Sequence, residues 1–128
     1  MSNSYSDLPH GQLPGSLELA FLGDTIYDFY VRRRLVIAGG RMKNLHRAAV
    51  SQVCASAQSK AFERIEHMLT EEEQGVVRRA RNAKQSPPKN ADPAEYHRAT
   101  AFEALLGFLY LTHREERLME ILSTANPD

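Results

Sequence analysis

The stretch AFEALLGFLY, residues 101–110, places a single carboxylate, Glu103, inside an otherwise apolar run. Between Ala99 and Leu111 no other residue is charged at neutral pH. An ionised carboxylate that leaves water without a partner is strongly destabilising. Glu103 must therefore point to solvent, pair with a cation or bind a metal ion, and its role depends on what stands opposite it.

The composition is that of one soluble globular domain. The chain has 128 residues, of which 42% are hydrophobic and 25% charged, and it is too short for two comfortable domains. Its formal net charge of zero means that any nucleic-acid-binding patch must be local. The single cysteine, Cys54, excludes an intramolecular disulfide, indicates a reducing compartment and is predicted to be a small core residue. Without a signal peptide or a membrane-spanning run, the chain is predicted to be cytoplasmic.

Hydrophobic spacing predicts an all-α fold. After a flexible arm over residues 1–14, a first helix should begin near Ser16 as its cap and end before the glycine pair at 39–40. A second helical segment should run from about residue 43 to 69, with a break allowed inside it. A third helix follows the capping box TEEE (70–73), a fourth runs from Asp92 to about residue 112, and a short last one covers about 114–123. Since no segment alternates with the period of a strand, residues 15–128 are predicted to form one helical domain.

The first helix is apolar on more than one side. Leu19, Leu22, Ile26 and Phe29 form one stripe, which predicts one buried face. Asp24 lies on roughly the opposite side, among further apolar residues, so that side is predicted to contact either the core or another subunit. An aspartate on a helix is usually exposed, and that alternative stays open for Asp24 alone. Opposed carboxylates on neighbouring helices are, however, a common way to bind a divalent cation.

Two motifs resemble the endonuclease domain of the ribonuclease III family. LELAFLGDTIYDFY (17–30) resembles the family signature Glu-Arg-Leu-Glu-Phe-Leu-Gly-Asp-Ala-Val, and it matches at Leu19, Phe21, Leu22, Gly23 and Asp24. TAFEALLGFLYL (100–111) is similar to the second acidic motif, Asp-x-Phe-Glu-Ala-Leu-Leu-Gly-x-x-Tyr-Leu, and it matches at Phe102, Glu103, Ala104, Leu105, Leu106, Gly107, Tyr110 and Leu111. The resemblance extends from about residue 15 to 123 and implies a helical endonuclease fold.

Two acidic positions of the family are replaced here. Ala20 stands where the first motif has a glutamate, and Thr100 stands where the second has an aspartate. Together with the expected absence of a double-stranded-RNA-binding domain, these departures resemble the compact Mini-III branch of the family. The stretch RARNAKQSPPKN (79–90) is similar to a loop of that branch.

The resemblance implies a metal-dependent endoribonuclease. Asp24 and Glu103 would be its catalytic residues and its metal ligands, holding Mg²⁺, with Mn²⁺ as a substitute. It also implies a homodimer with the first helix at the interface and no membrane association. The implied substrate is double-stranded RNA, specifically precursor 23S ribosomal RNA, with a large-subunit ribosomal protein as a helper.

The stretch RRARNAKQSPPK, residues 78–89, is a local basic segment without an acidic residue. Phosphate contacts dominate nucleic-acid affinity, so this segment is the candidate RNA-binding surface. The predicted RNA contacts are Arg79, Arg81, Asn82, Lys84 and Lys89. A solvated helix end followed by a flexible loop would have the same composition, and that alternative stays open.

Two other functions fit parts of the sequence. A non-catalytic double-stranded-RNA-binding protein would account for the basic segment and the two missing acids. A helical scaffold without an RNA role would require Glu103 to pair with a buried arginine.

Overall fold

The computed structural model describes Tyr5 and residues 7–127, and this part of the chain is all-α, as predicted. We number its six α-helices in chain order. They are α1 (Ser16–Ala38), α2 (Met42–Val53), α3 (Ala55–Ile65), α4 (Glu71–Arg81), α5 (Pro93–Leu111) and α6 (Glu115–Ala125). Two short 3₁₀ turns, Pro9–Gly11 and Glu66–Met68, precede α1 and follow α3. No helix within these residues is long and apolar enough to cross a membrane.

Local capping chemistry sets several of the helix ends. The Thr70 hydroxyl accepts from the Glu73 N–H at 3.1 Å, and a Glu73 carboxylate oxygen accepts from the Thr70 N–H at 2.9 Å, which is the predicted capping box. The Asp92 carboxylate accepts from the Ala94 N–H at 2.9 Å at the start of α5. The prediction for Ser16 was wrong by one position: Gly15 is the N-cap, and Ser16 is already helical.

The second predicted helical segment is broken at Cys54. Its backbone is extended there (φ −68°, ψ 163°), so α2 ends and α3 begins around this one residue. The break turns the thiol outward, and Cys54 is exposed. The prediction of a buried core cysteine was therefore wrong, because hydrophobic spacing does not reveal which way a residue points where a helix is interrupted.

Helix α5 is the centre of the fold. From Ala99 to Leu109 every residue except Glu103 is buried, and α1, α3, α4 and α6 pack around this helix. A helix that is apolar on all sides is expected at the middle of a domain rather than on its surface. Glu103 is therefore the polar interruption of the central helix.

Two glycines bring α1 and α5 into backbone contact. A Cβ atom on Gly23 would collide with the Glu103 carbonyl oxygen, and one on Gly107 would collide with the Leu19 carbonyl oxygen. Because residues 19 and 23 face residues 107 and 103, the two helices run antiparallel. The absence of a side chain at these two glycines thus allows the backbones of α1 and α5 to touch. This contact places Asp24, the residue after Gly23, beside Glu103.

The buried face of α1 differs from the predicted stripe. Leu19 is buried as predicted, but the burial continues through Ala20, Gly23, Tyr27 and Val31. The other three members of the stripe (Leu22, Ile26 and Phe29) are partly or largely exposed, with Phe29 at 69%. The glycine contact turns α1 so that Gly23 faces α5, and the remaining apolar residues are left on a second surface.

The N-terminal segment contacts the helical body at Tyr5 and Asp7. The Tyr5 hydroxyl donates to a Glu72 carboxylate oxygen at 2.9 Å, and an Asp7 carboxylate oxygen lies 2.9 Å from His113 Nε2. Residues 1–4 and 6 of the predicted arm lie outside the described residues, so the flexibility of residues 1–14 stays a prediction.

Candidate active site

The two predicted catalytic carboxylates share one cleft. Asp24 projects from the exposed side of α1, and Glu103 lies opposite it on α5, where the two helices touch through Gly23. The cleft has a volume of about 340 Å³. Gln58 from α3 and Gln85 from the loop before α5 also line it. The structure therefore brings together residues that are 79 positions apart in the sequence.

Glu103 is electrostatically strained. Its burial, followed by its interaction with the Asp24 carboxylate, raises the pKa of Glu103 to about 8. A hydrogen bond from Gln58 opposes this rise, since it stabilises the ionised form. A divalent cation bound beside Asp24 would stabilise the ionised form of Glu103.

No cationic side chain pairs with Glu103 among the described residues. The scaffold alternative required such a partner, and the fold supplies one for a different glutamate. Glu73 on α4 has only 3% of its side chain exposed, and Arg117 binds both of its carboxylate oxygens at 2.8 and 2.9 Å. Glu73 is thus buried with an arginine partner in a structural role, whereas Glu103 is half-buried without one.

The donor set fits a hard cation with few protein ligands. The described residues contain no group of three or more histidine, cysteine or acidic side chains that could enclose a metal ion. Mg²⁺ retains most of its own water and commonly uses only one or two carboxylates. Asp24 and Glu103 supply that number, in a cleft open to solvent.

The two replaced acidic positions face the same cleft. Ala20 and Thr100 both line it, and both are largely buried. The Thr100 hydroxyl donates to the Tyr96 carbonyl oxygen at 3.0 Å, within its own helix. The Thr100 hydroxyl hydrogen is therefore used in a backbone hydrogen bond, which is consistent with a packing role for this residue.

The predicted RNA contacts lie outside the cleft but next to it. Arg79 and Arg81 are exposed on the last turn of α4, and Asn82, Lys84 and Lys89 are exposed beyond it. One Arg81 guanidinium nitrogen lies 3.7 Å from a carboxylate oxygen of Glu66, a half-exposed contact that RNA could displace. Gln85, in the same loop, forms part of the wall of the cleft. The basic segment therefore runs from α4 to the edge of the carboxylate pair.

Gln58 is a site residue that the sequence reasoning missed. It is 3% exposed, and its amide group donates to a Glu103 carboxylate oxygen at 3.2 Å. Glutamine in a helix with Ser59 and Lys60 as neighbours has the pattern of a surface residue. Its burial follows from the packing of α3 against α5, which no local pattern reveals.

Comparison with known proteins shows the family of the chain. The sequence profile of the ribonuclease III domain matches residues 17–114. The chain belongs to the ribonuclease III family.

Curated relatives identify the branch of that family. A Mini-ribonuclease 3 from Symbiobacterium thermophilum is 51% identical over 85% of both chains. One from Brevibacillus brevis is 49% identical over 88% of this chain and 86% of its own. A crystal structure of a Fusobacterium nucleatum protein has a TM-score of 0.80 at 34% identity and covers 85% of both chains. The chain is thus a Mini-III-type member of the family and an endoribonuclease of the ribonuclease III type.

Proposed function

We propose that the protein cleaves double-stranded RNA with Mg²⁺ held between Asp24 and Glu103. The observation that carries this proposal is a pair of facing carboxylates at the edge of a basic segment, with no ion pair to a cationic side chain within the described part of the chain. Mg²⁺, or Mn²⁺ in its place, would supply Lewis-acid catalysis, which activates water and neutralises charge on the phosphate. The catalytic domain of residues 15–128 is part of the same proposal.

The residues of this chain have separate tasks in that reaction. Asp24 and Glu103 would hold the cation, and they would do so in their ionised forms. The basic segment holds the RNA backbone next to the cleft, because A-form duplexes are recognised mainly through phosphates and ribose hydroxyls. Its contact residues are Arg79, Arg81, Asn82, Lys84 and Lys89. Ala20 has no group that could bind a cation, and the Thr100 hydroxyl donates its hydrogen to the Tyr96 carbonyl oxygen, so we assign neither residue a part in cation binding.

The natural substrate that we propose is precursor 23S ribosomal RNA in the cytoplasm, with a large-subunit ribosomal protein as a helper. This part of the proposal rests on the family resemblance. It is tested by comparing the ends of 23S ribosomal RNA in cells with and without the gene. Unprocessed 23S ribosomal RNA ends in cells that lack the gene would support the assignment. Mature ends in those cells would refute it.

We further propose that the protein acts as a homodimer through the exposed apolar surface of α1, so that two sites face the two strands of a duplex. Leu22, Ile26 and Phe29 from α1 line a groove of about 570 Å³ together with Tyr110 and Met119 from α5 and α6. Phe29, Tyr110 and Met119 are each at least half exposed in the single chain. Large apolar side chains clustered on one surface are typical of protein interfaces. Val31, also on α1, is fully buried against the core and does not belong to this surface.

Cleavage is tested with a labelled RNA duplex on a denaturing gel, with a titration of Mg²⁺ from zero. The proposal predicts cleavage that requires Mg²⁺ and is restored by Mn²⁺. Duplex binding in a gel shift without cleavage at any Mg²⁺ concentration would favour the non-catalytic RNA-binding function instead.

The basic segment is tested by Arg81→Ala and Lys84→Ala. Each replacement should weaken binding to all duplexes alike, and each should reduce the slope of affinity against salt concentration by about one. The matched control is Lys43→Ala, since Lys43 is exposed on α2 and lies outside the segment. Equal slopes for all three variants would contradict the assignment of the segment.

A further inference from the structure

Gln58 makes two hydrogen bonds from one nitrogen atom. Its Nε2 donates to the Val53 carbonyl oxygen at 2.9 Å and to a Glu103 carboxylate oxygen at 3.2 Å. Val53 is the last residue of α2, so its carbonyl is one of those that a helix end leaves without a partner. The side chain therefore connects the end of α2 to the carboxylate on α5.

These two partners determine which way the amide points. The Val53 carbonyl oxygen can only accept, so the NH₂ group must face it, and a rotated amide would bring the Gln58 oxygen against that carbonyl. The Gln58 oxygen then points away from both, where it is buried and has no hydrogen-bond partner among the described residues. An unsatisfied buried acceptor costs about 1–3 kcal/mol.

A side chain that only filled this space would not need a polar group. An apolar residue of similar size would avoid the orphaned oxygen, and the α2 carbonyl could be satisfied by solvent at the cleft. The hydrogen bond that an apolar residue cannot replace is the one to Glu103. The feature that an apolar residue would lack is therefore the hydrogen bond that orients the Glu103 carboxylate.

We propose that Gln58 is a positioning residue of the cation site, whose amide N–H holds the Glu103 carboxylate in the orientation that faces Asp24. The inference rests on the proposed cation site of these two carboxylates. Without Gln58, the Glu103 side chain could rotate within the cleft, and the two carboxylates would no longer be preorganised for one ion. Loss of such a supporting hydrogen bond typically lowers metal affinity about 10–100-fold.

The test compares Gln58→Met with Gln74→Met. Methionine has nearly the shape of glutamine but cannot donate. Gln74 on α4 also donates to a carbonyl oxygen near a helix end, that of Leu69 at 3.2 Å, but it lies outside the cleft. Each protein is measured for the rise in Tm with added Mg²⁺ and for the Mg²⁺ concentration that gives half-maximal cleavage.

We expect Gln58→Met to need about 10–100-fold more Mg²⁺ in both measurements. Its cleavage rate should approach that of the wild type at saturating Mg²⁺, and its affinity for RNA without metal should be unchanged. Gln74→Met should match the wild type throughout. If Gln58→Met does not fold, Gln58→Asn, whose amide is too short to reach both acceptors, should give the same shift.

Two outcomes would overturn the role of Gln58. One is a wild-type Mg²⁺ dependence in the variant, and the other is a loss of cleavage that added Mg²⁺ does not restore. Glu103→Gln, measured in parallel, separates this result from a failure of the proposed function. If the wild type itself shows no response to Mg²⁺, the proposed cation site is wrong. If Glu103→Gln loses the response and Gln58→Met keeps it at the wild-type Mg²⁺ concentration, only the role of Gln58 is refuted.

Discussion

Replacing Glu103 by glutamine should stabilise the metal-free protein, and the gain should increase with pH. Glutamine keeps the shape of the side chain and removes the charge that is disfavoured beside Asp24. In the folded protein the pKa of Glu103 is about 8, against an ordinary value of 4.5. A pKa difference of this size lowers the free energy of unfolding of the wild type by about 5 kcal/mol at most.

The direction of the pH dependence follows from the raised pKa. Below pH 4.5 the carboxyl group is protonated in both the folded and the unfolded chain, so the wild type carries no penalty. As the pH rises from 4.5 to 8, the unfolded chain ionises while the folded protein keeps its proton, and the stability of the wild type falls. Above pH 8 the loss is complete. The glutamine variant lacks this titration, so its advantage should be near its maximum from about pH 8 upward.

Urea unfolding followed by circular dichroism, in EDTA at a series of pH values, measures this difference directly. Titrating groups that do not interact with Glu103 are in the same environment in both proteins, so they cancel in the difference between their free energies of unfolding. Glu116→Gln, at an exposed position on α6, is the control and should follow the wild type. A wild-type-minus-variant difference that is the same at pH 5 and pH 8.5 would refute the argument that Glu103 is strained by burial and by Asp24.

Three further replacements test a helix contact, a buried ion pair and the proposed dimer. Gly23→Ala should lower Tm by several degrees and remove Mg²⁺-induced stabilisation, because the new methyl group collides with the Glu103 backbone; an unchanged Tm in calorimetry would contradict the helix contact. Arg117→Leu should destabilise the fold by about 3–5 kcal/mol in urea unfolding, because it leaves the Glu73 carboxylate buried and unpaired, and a change under 1 kcal/mol would count against that pair. Phe29→Glu should give a folded monomer in sedimentation velocity at micromolar concentration, where the wild type should sediment as a dimer, and a wild-type monomer would remove the dimer proposal.

Features set by local chemistry could be predicted from the sequence. The capping box of Thr70 and Glu73 needs only residues three apart, and the start of α5 needs only the side chain of Asp92 and a proline after it. The pairing of Asp24 with Glu103 is not local, and it was predicted only because two motifs resemble those of the ribonuclease III family. In the structure the two carboxylates line one cleft.

Features set by long-range packing could not be predicted. Helix α1 is apolar on several sides, so the spacing of its residues did not distinguish the face carrying Tyr27 from the face carrying Phe29. The choice is made by the contact of Gly23 with α5, a residue whose missing side chain leaves no hydrophobic signal. Gln58 was missed for a similar reason, since its partner lies 45 positions away in the sequence.

The most direct test of the central claim is cleavage of a labelled RNA duplex by Asp24→Asn in the presence of Mg²⁺. The replacement keeps the shape of the side chain and removes the charge that would hold the cation beside Glu103. We predict no cleavage at any Mg²⁺ concentration, with an unchanged fold and with duplex binding retained through the basic segment. Mg²⁺-dependent cleavage by Asp24→Asn at the rate of the wild type would contradict the shared cation site.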